Sequence, residues 1–463
     1  MQSMTVVAQE PSVRRVGMIS LGCPKNTVDA EIMLGQLQAD AGQVVITNDL
    51  EEADVVIVNT CGFIDAAKQE SIDTILEVAN RKGHGVQRLI VAGCMVQKYR
   101  TELQEAIPEI DAFVGLDALD KITEAVTGVV SEAGAPTRRK MSLRLYEDLP
   151  RVLTTGTAHA YLKVSEGCSN PCTFCAIPQM RGKFRSRGLD GLVREALALQ
   201  QAGVKELNLV AQDTTRYAQD LGLENGLTKL VERLLAETDF QWIRFLYAYP
   251  GSIDWSLFEL MGREKRFVSY CDIPLQHVTA NVLGRMRRPG SPQEYREMIT
   301  RMRDLVPDLT LRTTFITGHP GETPKDFGEL YDFVEWAQFD NMGAFVYSPE
   351  DATLAAKMAD LPTRKTAERR RAKLMELQQK IALARNEQRV GQTYDAIITG
   401  LCSETENLGF SLYEGRITGQ AAEIDGRLLI NDGIELLPQQ LPAFARVEIT
   451  DAHPYDLVGA VVG

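Results

Sequence analysis

Between residues 14 and 129 the chain alternates short apolar runs with longer stretches in which apolar residues return every three or four positions. RVGMISL, DVVIVNT and RLIVAG are continuous, short and rich in Val and Ile, which predicts buried strands. TVDAEIMLGQL, AAKQESIDTILEVAN and QKYRTELQEAI follow them with a helical period. Strand and helix in alternation predict a parallel sheet covered by helices. Residues 130–153 carry Gly, Pro and mixed charge without a clean period and read as a linker. The alternation then resumes in AYLKVSE, KELNLVAQD, WIRFLYAY, SYCDIPL, LRTTFIT and MGAFVYS, with helical segments between. Six βα units in a row favour an open or partial (βα)6 barrel, with functional residues at the C-terminal ends of its strands. A doubly wound sheet has the same linear pattern and stays open as the alternative.

TRKTAERRRAKLMELQQKIALARNEQ reads as a charged helix packed on Leu374, Leu377 and Ile381. Its arginines face solvent or, less simply, a substrate. Beyond it the pattern changes to YDAIITG, GRLLIN and RVEITD between Gly-rich turns, as in a small β-barrel. The fold class is therefore α/β, in three domains: 14–129 with a parallel α/β sheet, 154–384 with a partial barrel, and 387–463 with a small β-barrel.

A chain of 463 residues agrees with about three domains at roughly 100–200 residues each. No apolar run approaches the ~18 residues of a membrane span. The opening MQSMTVVAQEPSVRR lacks an apolar core followed by a small-residue cleavage site. A cytoplasmic protein without membrane contact is expected. In that compartment thiols stay reduced, so the eight cysteines read as metal ligands or buried small hydrophobes. The net charge of −13 argues against a general nucleic-acid binder. Residues 387–463 hold twelve Asp and Glu against four Arg and no Lys, a balance of −8 that suits a basic partner and repels phosphate.

Cys168, Cys172 and Cys175 form C-x3-C-x2-C in EGCSNPCTFCAIP, directly after a predicted strand. Short spacings let thiolates converge on one face of an iron–sulfur cluster, and three ligands for four irons leave one iron open. A zinc knuckle would need a fourth ligand and a second paired spacing, and neither is present. Cys23, Cys61 and Cys94 are spread out, yet each falls just past a predicted parallel strand, where ligands gather in α/β sheets. Singly, each would read as a buried hydrophobe. Three at equivalent positions of successive units predict a second three-cysteine cluster. Cys271 and Cys402 have no such company and read as structural, and the five histidines form no metal-binding group.

The C-x3-C-x2-C loop at the head of a βα barrel resembles the radical S-adenosylmethionine superfamily. With the dispersed triad and the terminal barrel, nearly the whole chain resembles the radical methylthiotransferases, whose terminal domain is called TRAM. GCPKN, NTCGFIDAAKQESI, LVAQDTTRY, IPLQH, MRRPGS and LRTTFITGHPGET resemble the branch acting on a ribosomal protein rather than the transfer-RNA branch. His319 and Ala352 depart from that pattern, which has an apolar or aromatic residue and Gly at those places.

The resemblance implies methylthiolation of an aspartate β-carbon in small-subunit ribosomal protein twelve, with two 4Fe–4S clusters and two molecules of S-adenosylmethionine. The cluster on Cys168, Cys172 and Cys175 would generate the hydrogen-abstracting radical, and that on Cys23, Cys61 and Cys94 would hold the sulfur. An electron donor such as flavodoxin or ferredoxin is implied, and nucleic-acid binding through the acidic terminal domain is not expected. Gln212 and Asp213 follow the second central strand, placed to reach the cofactor or to serve only a turn. Gly318, Pro320 and Gly321 form a tight turn near the cofactor or a plain strand–helix connection. Arg181, Arg185 and Arg187 could bind a carboxylate, though exposed salt bridges are the simpler reading for at least two of them. Tyr217 reads as packing. The rival readings are methylthiolation of a transfer-RNA adenosine and a non-catalytic, zinc-stabilised binding protein.

Overall fold

The computed structural model describes residues 14–39, 44–128, 149–405 and 411–463. The chain divides into two compact units: residues 1–154 with 177–182, and residues 155–176 with 183–463.

The first unit holds a five-stranded parallel sheet: β1 (Arg14–Ser20), β2 (Val44–Ile46), β3 (Val55–Thr60), β4 (Arg88–Gly93) and β5 (Ala112–Val114), in the order β2-β1-β3-β4-β5. Every residue of β3 is buried, as a central parallel strand requires. Val56, Val58, Leu89 and Val91 pack against Ile75, Val78 and Leu103 of the covering helices. The chain leaves β1 toward β2 on one side and returns to place β3 on the other. That reversal makes a topological switch point between β1 and β3, where such sheets open a crevice at their C-terminal ends.

Most of the expected linker, 130–148, lies outside the described residues, but its last residues are anchored rather than loose. Buried Glu31 pairs with Arg151 and accepts from the Thr154 amide at 2.8 Å. A Cβ on Gly35 would fall 2.1 Å from the Pro150 carbonyl oxygen, so only glycine lets this segment lie on the helix Pro24–Ala39.

The second unit carries six parallel strands in chain order: β6 (His159–Lys163), β9 (Glu206–Val210), β10 (Trp242–Phe245), β11 (Tyr270–Asp272), β12 (Thr310–Thr317) and β13 (Asn341–Val346). The run β6–β9–β10 meets the run β11–β12–β13 through Val268 N to Ile243 O at 3.0 Å and Ala248 N to Asp272 O at 2.8 Å. Strands that add in sequence order make a partial (βα) barrel and exclude the doubly wound alternative. A two-stranded antiparallel ribbon, β7 (Ser165–Glu166) with β8 (Arg185–Ser186), brackets the C-x3-C-x2-C loop. The helix Arg364–Glu387 buries Leu374, Leu377 and Ile381 as expected, and Arg371 donates to Ala344 O at 2.9 Å on the open edge of β13. Covering that edge removes a site for stray strand pairing. Among the described residues no helix is long and apolar enough to cross a membrane.

The terminal strands β14 (Thr393–Leu401), β15 (Tyr413–Ile417), β16 (Leu428–Asp432), β17 (Ala443–Ala452) and β18 (Leu457–Val461) close into a barrel around Ile398, Ile417, Leu428, Ile430, Val447 and Ile449. It caps the N-terminal mouth of the central strands. Buried Glu206 sits between Arg244 and Arg416, Tyr161 donates to Glu423 at 2.9 Å, and Tyr270 donates to Asp425 at 2.7 Å. This explains why strands such as ELNLV and WIRF carry charge.

His159 lies in the same seam, where burial and then Arg416 push its pKa down to about 4. The unfolded chain protonates it near 6.5, so its contribution to stability is complete above that pH and lost as pH falls toward 4. In urea titrations from pH 7 to 4, His159→Gln is expected to lose less stability than wild type, by about 3 kcal/mol at most.

Candidate functional site

Strand register brings the dispersed triad together. Ser20 pairs with Asn59 and Thr60 with Gly93, so Cys23, Cys61 and Cys94 leave the ends of three adjacent strands about 4.8 Å apart. Cys23 directly precedes the helix Pro24–Ala39 and Cys94 opens the helix Cys94–Ala106, at helix ends that favour negative charge. Gly22 has φ +92°, and a Cβ there would fall 2.7 Å from that of Cys61. Gly93 has φ +96° and no room for a side chain against Asn59 and Thr60.

Asn26 knits the site: its Nδ2 donates to Leu21 O and Thr60 O at 2.9 Å each, while its Oδ1 accepts from Arg181 at 2.5 Å and from Cys94 Sγ at 3.4 Å. Buried Ser71 clasps Cys61, accepting from its amide and donating to its carbonyl at 3.1 Å each. Burial resists ionisation of Cys23, but Lys25, Arg181 and two backbone amides outweigh it and hold the thiol below its ordinary range. Burial pushes Cys61 up and Cys94 up to about 12, each further opposed by neighbouring thiolates. Two of the three thiols resist ionising while the third, beside Lys25 and Arg181, ionises more readily, and the three together form an all-sulfur donor set at adjacent strand ends.

Exposed salt bridges for at least two of Arg181, Arg185 and Arg187 do not hold, because Arg181 and Arg187 are both buried. Arg181 is 2% exposed and bonds Asp29 at 3.0 Å. Removing it breaks a buried ion pair and a buried bond to Asn26, so Arg181→Met is expected to destabilise the protein by about 3 kcal/mol in denaturant titrations before any metal is added. Arg187 is likewise buried, pairing with Glu195 at 2.6 Å and donating to Lys163 O. Arg185 lies in β8 and is partly buried. Tyr217, 1% exposed, donates to Arg187 O and packs as expected.

Cys168, Cys172 and Cys175 are partly exposed on a loop fixed from several sides. Asn170 donates its amide to Cys168 Sγ at 3.4 Å and its side chain to Asp213 at 2.7 Å. Arg216 donates to the other end of Asn170 at 3.1 Å. Thr173 bonds through its amide to Met286 O and through its hydroxyl to Arg285 O, and accepts from the Ala355 amide. Burial raises the Cys168 thiol and the Asp213 carboxyl despite their hydrogen bonds. Asp213 is thus engaged with the cysteine loop and with Thr215. Gln212 beside it keeps both side-chain polar atoms buried and unpartnered, with capacity for a ligand.

Gly318 and Gly321, at φ +80° and +83°, make the turn around Pro320. Glu322 closes the turn by accepting from the Gly318 amide and from Arg370. His319 is fully buried, edge-on to Phe174 of the cysteine loop at 6.4 Å between ring centroids and to Tyr347 at 5.3 Å. Burial lowers its pKa to about 4. Cys271 is buried in β11, and Cys402 is buried beside Glu404 and Arg427. Among the described residues no three or more His, Cys, Asp or Glu stand at the spacing of a single metal ion.

Residues 15–115 match UPF0004, described as an uncharacterized protein family; 162–334 match the radical SAM superfamily; and 390–462 match the TRAM domain. A ribosomal protein uS12 methylthiotransferase RimO from Solibacter usitatus is 45% identical, covering 97% of this chain and 95% of its own. Proteins of the same name from Koribacter versatilis and Geobacter sulfurreducens are 43% and 42% identical, covering 99% and 97% of this chain and 98% of each of theirs. Among solved structures, the fold resembles the radical S-adenosylmethionine methyltransferase TsrM of Kitasatospora setae, determined with cobalamin and a [4Fe–4S] cluster. The TM-score is 0.53 at 14% identity, over 72% of this chain and 75% of that one. The cobalamin-dependent radical enzyme OxsB matches at 0.51 and 13% identity, over 80% and 56%.

Proposed function

This chain belongs to the RimO family of ribosomal protein uS12 methylthiotransferases, radical S-adenosylmethionine enzymes, and on that premise we propose that it replaces a hydrogen on the β-carbon of a uS12 aspartate with a methylthio group. The reaction uses two molecules of S-adenosylmethionine and two 4Fe–4S clusters. The observation that carries this reading is the pair of cysteine triads, each at the C-terminal ends of parallel strands and each one ligand short of four. A closed zinc site would need the fourth ligand, so the zinc-stabilised alternative has less support.

Cys168, Cys172 and Cys175 hold the radical cluster, and Cys23, Cys61 and Cys94 the auxiliary one. When bound, the clusters and S-adenosylmethionine supply the electron, the hydrogen-abstracting carbon radical and the methylthio group. The protein's part is to hold them. Asn170 and Thr173 fix the loop through Asp213 and through the end of the helix Ala280–Met286. Gln212 offers a free amide to the cofactor's polar groups, and Gly318, Pro320 and Gly321 would line the cofactor from a turn packed closely on Ala367 and Arg285. Near Cys23, Arg181 offsets the negative charge of the ligating thiolates.

The terminal barrel's −8 balance suits a lysine- and arginine-rich ribosomal protein better than a phosphate backbone. Flavodoxin or ferredoxin delivers the electron, in the cytoplasm where uS12 is made.

The test is anaerobic incubation of reconstituted protein with uS12, S-adenosylmethionine and a low-potential reductant, followed by peptide mass spectrometry. A methylthio group on an aspartate of uS12 is expected. Modification of transfer-RNA adenosine with uS12 untouched would move the chain to the rival substrate.

A further inference from the structure

The helix Ala280–Met286 ends in a turn held from every side. Arg287 takes φ +53°, and the Arg288 amide returns to Leu283 O at 2.9 Å. Gly290, at φ +118°, lies so close to Tyr295 that a Cβ would meet the ring at 2.3 Å, and Tyr295 donates to Pro289 O at 2.6 Å. The Arg288 side chain leaves this turn in one direction. One terminal nitrogen donates to Pro274 O at 2.7 Å, and the guanidinium lies over Tyr249, 4.6 Å from the ring centroid. The other terminal nitrogen donates to Cys172 Sγ at 3.5 Å. Nε is buried without a partner. The same helix end holds Thr173 through Arg285 O and Met286 O, so the cysteine loop and the guanidinium share one rigid support.

We propose that Arg288 is a positioning residue that sets the reduction potential of the cluster held by Cys168, Cys172 and Cys175, through its N–H···S bond and its charge at Cys172. This rests on the assignment of that triad to a one-electron cluster. Reduction adds one electron from an external reductant, with no bond made or broken at Arg288, and makes the centre more negative. A fixed positive charge and a donor on a ligand sulfur stabilise the reduced form more than the oxidised one, which raises the potential. The planar guanidinium can bond sulfur and carbonyl together while stacking on Tyr249; an ammonium keeps the charge but not that geometry.

The test uses the full chain with Cys23, Cys61 and Cys94 replaced by Ala, so that one cluster remains, in a redox titration with dithionite followed by electron paramagnetic resonance. Arg288→Gln is expected to keep its iron and shift the midpoint to more negative potential, with Arg288→Lys between it and the parent. A purely structural clip to Pro274 would leave the midpoint unmoved, and equal midpoints in Arg288→Gln and parent overturn the proposal. Should Arg288→Gln lose its iron, the unsubstituted parent labelled with 15N-arginine decides. A hyperfine coupling between an arginine nitrogen and the reduced cluster supports the proposal, and its absence overturns it. A parent that binds no iron would overturn the cluster assignment itself, a result distinct from an iron-loaded parent with an unmoved midpoint.

Discussion

Replacing Cys168, Cys172 and Cys175 together with Ala is expected to remove about half of the bound iron and to abolish reductive cleavage of S-adenosylmethionine. The loss of chemistry should be complete, because on the proposed reading these thiolates hold the cluster that binds and cleaves the cofactor. The loss of fold should be small. The loop is partly exposed and fixed mainly by the Asn170 side chain, Thr173 and Ala355, whose bonds remain, and only the weak bonds of the Asn170 amide to Cys168 Sγ and of Arg288 to Cys172 Sγ are lost. Iron analysis, the absorption of the brown clusters and chromatography of 5′-deoxyadenosine check the result. Full iron content in this variant would contradict the two-cluster account.

Replacing Cys23, Cys61 and Cys94 with Ala should give the complementary result. About half of the iron is lost and no methylthio group reaches uS12, yet some reductive cleavage of S-adenosylmethionine survives. The second unit keeps its own cysteine loop, with Arg288, Asp213 and Gln212 around it. Some destabilisation of the first unit is expected, since Cys61 and Cys94 are buried and Asn26 loses the thiol at its Oδ1. Ser71 should still hold the Cys61 backbone, because both of its bonds go to main-chain atoms. A variant that cleaves no S-adenosylmethionine while keeping its radical cluster would contradict the separation of roles.

Much of this was legible because long elements carry their own period. β1, β3, β4 and the six central strands follow the apolar runs, and the helix Arg364–Glu387 follows its Leu374, Leu377 and Ile381 stripe. β2 and β5 are three residues each, too short to display a period. β15 and β18 were missed for another reason: YEGRI and LVGAV contain glycines that pack tightly in the closed barrel, and glycine reads as a turn signal. The cysteines were visible as a pattern, but their supports were not. Asn170, Ser71, Thr173 and Arg288 act through single side-chain contacts to residues distant in sequence, for which no local spacing exists.

The arginines were misjudged because burial of a charged residue depends on a partner the sequence does not place, as Asp29 shows for Arg181. The Ala352 departure has a local physical meaning. Its φ of +63° is a conformation glycine adopts freely and alanine does not, which accounts for the glycine expected there.

The most direct test of the central claim is mass spectrometry of uS12 from cells lacking this gene, complemented with wild type or with either triple-alanine variant. The account predicts a methylthiolated aspartate with wild type and an unmodified uS12 in the deletion strain and with both variants. Methylthio nucleosides in transfer RNA should be unchanged throughout. A uS12 still methylthiolated in the deletion strain, or transfer RNA that loses its methylthio groups instead, would contradict it.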